Sequence, residues 1–424
     1  MMGCIHPTRA ASPRPGGMAR YAIFKGCGML GKTRFTGVAP HVARRYPQKE
    51  ETLNNRRSLA VTLVLVLAAM LPVAGCTQVP VRVEGAAAPG PRYAVDPYWP
   101  KPLPNRWILG QVSGIATDSR DHIWVLHRPR TATEDERGAT LTPPRSKCCI
   151  PAPAVIEFDR EGNVLQAWGG PGQGYEWPKN EHGIYVDPAG NVWIGGNDAT
   201  DHQILKFTRD GKFLLQIGHS GASEGSNSTT QLGRPAHMEL DAANNELFVA
   251  DGYQNKRVIV FDAGSGAYKR HWGAYGKKPE DAKLPHYNPE SPQFGNPVHC
   301  VRQTRDGLLY VCDRANNRIQ IFRKNGEFVR QIVLEPRTLG SGSAWDLIPT
   351  EDAGQRYLLV ADGSNNEVHI LVRESGERIG SFGRNGRNAG DFHWVHNIAV
   401  DSQGSVYTSE VDTGKRVQRF RRVQ

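Results

Sequence analysis

Three histidines occupy equivalent places in a repeated stretch of this sequence, and their type and spacing suit metal chemistry. They are His182, His299 and His396, each two residues before the first apolar residue of its repeat. Three imidazoles that meet at one point form a facial set of nitrogen ligands and leave coordination positions open for water or substrate. Such a set is typical of catalytic zinc, whereas a structural zinc site needs four ligands. The alternative interpretation is that each histidine caps only its own loop.

The repeat that carries these histidines is clearest between Asn296 and Ile332. Apolar and polar residues alternate there in short runs, which Gly, Asn and Asp turns separate. Alternation with a period of two, interrupted by such turns, indicates short antiparallel strands. The Asn325-Gly326 pair is a strong hairpin signal, because both central positions of that turn need positive φ. Four strands in about forty residues is the size of one β-propeller blade.

The repeat recurs six times, which predicts an all-β protein whose residues 92–424 form one six-bladed β-propeller. The first blade contains an insertion at 131–153. The sixth repeat lacks a fourth strand, and residues 92–96 can supply it and close the ring, which removes exposed strand edges. The three histidines then belong to blades two, four and six. Alternate blades are about 120° apart, so we expect the imidazoles to meet on the central axis.

Charge and composition limit the classes of partner. The chain has 424 residues, of which 22% are charged and 39% hydrophobic, an ordinary soluble composition. Residues 1–75 hold eleven Lys and Arg against two Glu, and so account for +9 of the formal net charge of +10. The propeller region is therefore nearly neutral, and the basic composition gives no reason to expect a nucleic-acid partner. We expect a monomer.

The segment before the propeller has the features of an export signal. Basic residues at Arg56 and Arg57 precede an apolar run from Leu59 to Ala74, which ends in the sequence Val-Ala-Gly-Cys at Cys76. A basic start, a short apolar run and small residues before a cleavage point describe a secretory signal. The run is shorter than the roughly 20 residues of a transmembrane helix. The alternative is an ordinary signal peptide in which the cysteine is incidental.

The last four residues of that segment resemble the lipobox of bacterial lipoproteins, in which the cysteine is acylated. The resemblance implies an exported protein that is anchored through a lipid on Cys76, on the periplasmic side of the outer membrane, with no other membrane contact. The expected divisions are a disordered leader or misassigned start (1–52), a lipoprotein-type signal peptide (53–76), a flexible linker (77–91) and the propeller (92–424).

The remaining cysteines leave two possibilities open. Cys148 and Cys149 are adjacent in a proline-rich loop, where they form either a vicinal disulfide or a free pair. Cys300 and Cys312 lie in predicted strands. The sequence has no Cys-x-x-Cys pair and no zinc-finger spacing.

The repeats resemble NHL repeats, and residues 92–424 resemble the peptidyl-α-hydroxyglycine α-amidating lyase family. The sequence LGQVSGIATDSRDHIWVLHR, at 109–128, matches the first blade of that family without a gap. The sequences HGIYVD, DGYQNKRVIVF, VCDRANNRIQIF and VHNIAVD follow in the family's order. The resemblance implies a six-bladed propeller with lyase activity.

The resemblance also implies roles for individual residues. In that family three histidines bind zinc, and they match His182, His299 and His396. Active-site residues of the family fall on Arg128, Tyr253 and Arg314. Tyr253 would then act as general base, and the two arginines would bind a substrate carboxylate through their planar forks.

A second ion, calcium, is implied in the same way. In the family it is bound by two backbone carbonyls that match Ile115 and Ile184 and by an aspartate whose place Asn397 takes. Asn397 lacks the negative charge of an aspartate, and this departure weakens the case for calcium.

Three functions are compatible with these observations. The leading one is a zinc-dependent lyase that cleaves the C–N bond of a carbinolamide, in a peptide or small molecule with a carboxylate, to an amide and a glyoxylate-like aldehyde. The second is a metal-dependent propeller hydrolase that acts on a lactone or ester. The third is a non-catalytic NHL-repeat binding scaffold of the cell envelope. An aldehyde product would distinguish the first function from the second, and the third predicts no turnover.

Overall fold

The computed structural model describes residues 90–284 and 287–423. The expected leader, the signal peptide with Cys76, and residues 77–89 of the linker lie outside the described residues. Among the residues described, no helix is long and apolar enough to cross a bilayer.

The described chain consists of strands joined by turns and a few short 3-10 helices. The first thirteen strands are β1 (Tyr93–Asp96), β2 (Trp107–Ile108), β3 (Gln111–Thr117), β4 (Ile123–Arg128), β5 (Ile150–Pro151), β6 (Val155–Phe158), β7 (Val164–Trp168), β8 (Glu181–Val186), β9 (Val192–Gly196), β10 (Gln203–Phe207), β11 (Phe213–Gly218), β12 (Pro235–Asp241) and β13 (Glu246–Asp251). The others are β14 (Arg257–Asp262), β15 (Tyr268–Trp272), β16 (Val298–Gln303), β17 (Leu308–Asp313), β18 (Arg318–Arg323), β19 (Phe328–Val333), β20 (Asp346–Pro349), β21 (Tyr357–Asp362), β22 (Glu367–Val372), β23 (Arg378–Phe382), β24 (Val395–Val400), β25 (Val406–Glu410) and β26 (Arg416–Arg422). The 3-10 helices are Pro104–Arg106, Pro129–Thr131, Gly138–Thr140, Ala274–Gly276 and Arg314–Asn316.

The strands form six four-stranded antiparallel sheets, which are the blades. Their strand orders are β3-β4-β6-β7, β8-β9-β10-β11, β12-β13-β14-β15, β16-β17-β18-β19, β20-β21-β22-β23 and β24-β25-β26-β1. The first strand of each blade contacts the first strands of both neighbouring blades, so β3, β8, β12, β16, β20 and β24 surround the axis. The predicted all-β, six-bladed propeller is therefore confirmed.

The ring closes in the way that the sequence predicts. Strand β1 pairs antiparallel with β26, with Tyr93 opposite Arg422 and Asp96 opposite Arg419. The carboxylate of Asp96 also accepts hydrogen bonds from Arg419 and from Arg421, the latter at 2.6 Å. Blade six thus combines the two ends of the propeller, and β26 has a hydrogen-bonded partner on both sides.

The insertion in blade one forms a small structure of its own. Its strand β5 pairs in parallel with β2, and β2 precedes β3, the first strand of blade one. Cys148 and Cys149 are joined as a vicinal disulfide within it, which decides between the two states that the sequence left open.

The apolar core lies between neighbouring blades, because each sheet buries both faces. One cluster, for example, combines Phe248 and Val260 of blade three with Val301 and Phe322 of blade four. Buried polar groups are paired at the inner turns: the indole nitrogens of Trp124 and Trp193 each donate to an aspartate at 3.1 Å. This packing fixes the inner strands, which carry the site.

Candidate metal centre

The three histidines of blades two, four and six meet on the axis. Each is the second residue of an inner strand, β8, β16 or β24. The pairing of each strand with the next shifts at this point, and such an irregularity re-aims a side chain. The ring centroids are 5.0 Å apart for His182 and His299, 4.8 Å for His182 and His396, and 4.9 Å for His299 and His396. One nitrogen of each ring lies within 4.8 Å of those of the others.

Hydrogen bonds fix which nitrogen of each ring faces the axis. Nδ1 of His182 lies 2.8 Å from the carbonyl oxygen of Ala236, and Nδ1 of His299 contacts the carbonyl oxygen of Trp345. Nδ1 of His396 contacts the side-chain oxygen of Asn397. Because these oxygens only accept, each Nδ1 carries the proton and each Nε2 keeps a lone pair.

The imidazoles are neutral, as metal ligands must be. Burial, together with the charges of Arg128 and Arg314, lowers the pKa of His396 to about 3. Burial also holds the pKa of His182 and His299 well below the ordinary value, with added contributions from neighbouring cationic groups. All three rings are therefore neutral at neutral pH, with one proton each.

The described residues provide fewer hydrogen-bond donors than the three Nε2 lone pairs on the axis could accept. The hydroxyl of Tyr253 lies 2.9 Å from Nε2 of His182 and 3.2 Å from Nε2 of His299. A single phenol proton can satisfy one of these nitrogens but not the set. Three buried nitrogen acceptors around one point fit a divalent metal such as zinc, with positions left open on it.

Buried ion pairs brace the loops that carry Tyr253 and Arg314. In the sequence, Tyr253 lies between Asp251 and Arg257. The side chains of Asp251 and Arg257 are fully buried and 2.8 Å apart. The loop with Arg314 is closed in the same way in blade four, where Arg318 lies 2.7 Å from Asp313. The carboxylate of Asp313 is thus paired with Arg318, and it forms no salt bridge with Arg314.

Arg314 lies beside Tyr253, and its N–H groups are not all used in hydrogen bonds. Its Nη1 lies 3.3 Å from the Tyr253 hydroxyl, and its guanidinium lies 4.3 Å from the ring centroid of Trp345. Its Nε is buried and has no hydrogen-bond partner among the residues described. An unpaired buried donor on a cation is costly unless an anion binds there.

Arg128 is the second cation of the site and is buried. It donates to the Glu181 carbonyl at 2.7 Å, to Gln111 at 2.8 Å and to Asn197 at 3.5 Å. These acceptors are neutral, and within the described part of the chain neither Arg128 nor Arg314 forms a salt bridge. Burial lowers the pKa of Arg128 to about 10, so it stays charged at neutral pH.

An open pocket of about 430 Å³ connects these groups to solvent. Its wall includes Arg128, Tyr253, Arg314, Trp345 and His396. The structure therefore brings together all six residues that were expected to bind zinc or to act in catalysis.

Asn397, one of the three residues expected to bind calcium, has partners within the protein. Its side-chain oxygen contacts His396, and its nitrogen donates to Asp346 at 3.0 Å. Ile115 and Ile184, whose backbone carbonyls were expected to bind the ion, are buried on the neighbouring strands β3 and β8. Calcium binding by these residues stays a prediction.

Sequence reasoning missed two features of this region. Cys300 and Cys312 form a buried disulfide across β16 and β17. The signal was present, because the turn at 305–307 places residues 300 and 312 opposite each other. Arg302 and Asp346 also meet in the channel, and no motif indicates them because they lie in different blades.

Comparisons with known proteins agree with the fold and give the proteins to which this chain is similar. A family model for the NHL repeat matches residues 298–322. The chain is 25% identical over 309 residues to peptidyl-glycine alpha-amidating monooxygenase B of Xenopus laevis, covering 71% of this chain and 33% of that protein. It is 26% identical over 360 residues to peptidyl-alpha-hydroxyglycine alpha-amidating lyase 1 of Drosophila melanogaster, covering 77% and 59%.

A probable peptidyl-alpha-hydroxyglycine alpha-amidating lyase of Caenorhabditis elegans is 24% identical over 320 residues, which cover 72% of this chain and 81% of that protein. The aligned region thus spans about a third of the Xenopus protein and more than half of the Drosophila one. The chain is a six-bladed β-propeller with an NHL repeat, and it resembles the peptidyl-α-hydroxyglycine α-amidating lyases.

Proposed function

We propose that this protein is a zinc-dependent lyase that splits a carbinolamide into an amide and a glyoxylate-like aldehyde. One observation carries the proposal: the three histidines meet at one point, and Tyr253, which contacts two of them, lines a pocket together with His396 and two arginines that have no carboxylate partner. Relatives whose names include this lyase activity support it. The substrate is a peptide or small molecule that ends in an α-hydroxyglycine-type carboxylate.

The two arginines bind the carboxylate. Arg314 offers its unpaired Nε together with a second guanidinium nitrogen, and its stacking on Trp345 holds the guanidinium plane. A planar fork matches the two oxygens of a carboxylate, and such charge-assisted pairs are the stronger hydrogen bonds. Arg128 adds charge from the opposite blade. The carbon that bears the hydroxyl is then held near the histidines.

Tyr253 moves the proton. In its deprotonated form the phenol oxygen accepts the proton of the substrate hydroxyl, and the adjacent Arg314 cation stabilises the negative charge beforehand. The hydroxyl oxygen forms a carbonyl as the C–N bond breaks, and the bonding electrons pass to nitrogen. Tyr253 returns the proton to that nitrogen, which gives the amide. His182, His299 and His396 would hold the zinc ion, which would supply a Lewis acid for a substrate oxygen.

We further propose that the protein works outside the cytoplasm as a monomer, anchored by lipid on Cys76. Two disulfides support this location, because such bonds persist in oxidising compartments.

The test uses the full chain and benzoyl-α-hydroxyglycine, the simplest substrate with the required groups. We expect benzamide and glyoxylate to form in equal amounts. Tyr253→Phe should lower kcat by about 10²- to 10⁴-fold, the usual contribution of a general base, with zinc content unchanged. Tyr275→Phe is the matched control, because the Tyr275 hydroxyl also lies beside an arginine but outside the pocket.

Two results would contradict the proposal. Turnover of an ester or lactone without aldehyde formation would indicate a hydrolase. No turnover of any of these compounds by zinc-loaded protein would favour a binding scaffold.

A further inference from the structure

Arg302 is a buried arginine of blade four, three residues after His299, and its side chain contacts three other blades near the axis. Arg302, on β16, contacts Asp346 of β20 twice, with Nε–Oδ1 at 3.3 Å and Nη2–Oδ2 at 2.8 Å. Its Nη2 also donates to the Ile398 carbonyl of β24 at 3.1 Å, and its Nη1 lies 3.8 Å from Glu239 of β12. The guanidinium therefore provides a fixed positive charge in the channel.

Asp346 links this charge to Asn397. The carboxylate is fully buried, and its Oδ2 accepts from Arg302, from the Asn397 side chain at 3.0 Å and from the Ile398 backbone at 3.1 Å. A carboxylate only accepts hydrogen bonds, so the nitrogen of the Asn397 amide must face Asp346. The oxygen of that amide must then face the other way, toward His396.

This contact distinguishes His396 from the other two histidines. Nδ1 of His182 and Nδ1 of His299 donate to backbone carbonyls, those of Ala236 in β12 and of Trp345 immediately before β20. Nδ1 of His396 donates to the Asn397 side chain, whose orientation depends on Asp346. Among the three central histidines, His396 alone therefore has a proton position that substitution of distant side chains can change.

We infer that Arg302 is a positioning residue of the metal centre, which acts through Asp346 and Asn397 to hold the His396 Nε2 lone pair on the axis. The inference rests on the metal centre of the proposed function and adds residues that never touch the metal. Without the guanidinium, Asp346 would be a buried charge with no cation beside it. The amide would then lose its fixed orientation, and with it the preference of His396 for the Nδ1-protonated form.

The first experiment measures zinc affinity of the full chain by competition with a chelator. Arg302→Met should weaken zinc binding about 10- to 100-fold, the usual effect of losing an outer partner of a ligand. Arg302→Lys should weaken zinc binding less than Arg302→Met, because it keeps the positive charge but loses the two-point contact with Asp346. Arg160→Met is the control: it removes another arginine–aspartate pair between two blades, with Arg160 Nε 3.2 Å from the buried Asp401, and should leave zinc affinity unchanged because this pair is separate from Arg302, Asp346 and Asn397.

The second experiment covers the case in which Arg302→Met does not fold. Asn397→Ala leaves the Arg302–Asp346 pair in place but removes the acceptor of His396. In zinc-free protein labelled with ¹⁵N-histidine, the His396 signals should change from one tautomer to a mixture, while those of His182 and His299 keep theirs. A His396→Gln spectrum assigns the signals.

Two results would overturn the inference: wild-type zinc affinity in both Arg302→Met and Asn397→Ala, or an unchanged His396 tautomer in Asn397→Ala. Failure of the proposed metal centre itself looks different, because the wild-type protein would then bind no zinc.

Discussion

Replacing Arg314 should weaken substrate binding and change the stability of the fold only slightly, because the fold makes little use of the N–H donors of this side chain. Its Nε is unpaired, and its protein contacts are a 3.3 Å hydrogen bond to Tyr253 and stacking on Trp345. A hydrogen bond to a charged group contributes about 1.5–3 kcal/mol, so Arg314→Met should raise KM for benzoyl-α-hydroxyglycine roughly 10- to 150-fold. Loss of the stacking contact should cost only about 1 kcal/mol of unfolding free energy.

Arg318, four residues later, is the matched control with the opposite behaviour. It donates to Asp313 at 2.7 Å, to the carbonyls of Pro289 and Ser291 at 2.8 Å and to that of Gln293 at 2.9 Å. Breaking a buried pair costs about 3–5 kcal/mol. With an unfolding entropy of about 2.1 cal/mol/K per residue and about 330 folded residues, that is a fall of roughly 4–7 °C in Tm for Arg318→Met.

The assays are steady-state kinetics on the folded proteins and thermal unfolding followed by circular dichroism. Arg314→Met should show the large change in KM with a Tm within about 2 °C of wild type, given the same entropy per residue. The reasoning is refuted if KM changes less than twofold, or if the Tm of Arg314→Met falls as far as that of Arg318→Met.

Three further predictions concern the fold. The unfolded chain binds protons below the ordinary histidine pKa, whereas burial lowers the pKa of His127 to about 4 and of His237 and His396 to about 3. Stability should therefore fall as pH drops below 6.5, by about 2 kcal/mol per histidine at about pH 5, and a urea midpoint equal to that at neutral pH would contradict this. Replacing Cys300 and Cys312 with serine should cost about 2–4 kcal/mol in urea unfolding, and unchanged stability would argue against the bond. Removing residues 1–96 should expose the edge of β26, and the shortened chains should associate through this edge in size-exclusion chromatography. Elution of the shortened chain as a monomer would show that β1 is dispensable for closure of the ring.

The sequence was sufficient to predict the architecture because each strand is encoded locally. Alternation and turns such as Asn325-Gly326 define the hairpins without knowledge of distant contacts. Ring symmetry then places equivalent positions together, which is why the convergence of His182, His299 and His396 could be predicted. The missing strand of blade six followed from the same reasoning, since only residues 92–96 were left to pair with β26.

Contacts between different positions of different blades could not be predicted in this way. Arg302 of blade four reaches Asp346 of blade five, and Asn397 of blade six completes the contact. Nothing in the local pattern of any one strand specifies such a cross-channel network. The resemblance also gave no indication that the side chain of Asn397 contacts His396.

The most direct test of the account is the zinc content of the purified full chain, wild type beside His299→Ala, by inductively coupled plasma mass spectrometry. His299 contributes one of three nitrogens that lie within 4.8 Å of one another, so its loss should destroy the facial set. We predict about one zinc per wild-type chain and almost none in the folded variant. No bound transition metal in the wild type, or equal zinc in both proteins, would contradict the central claim.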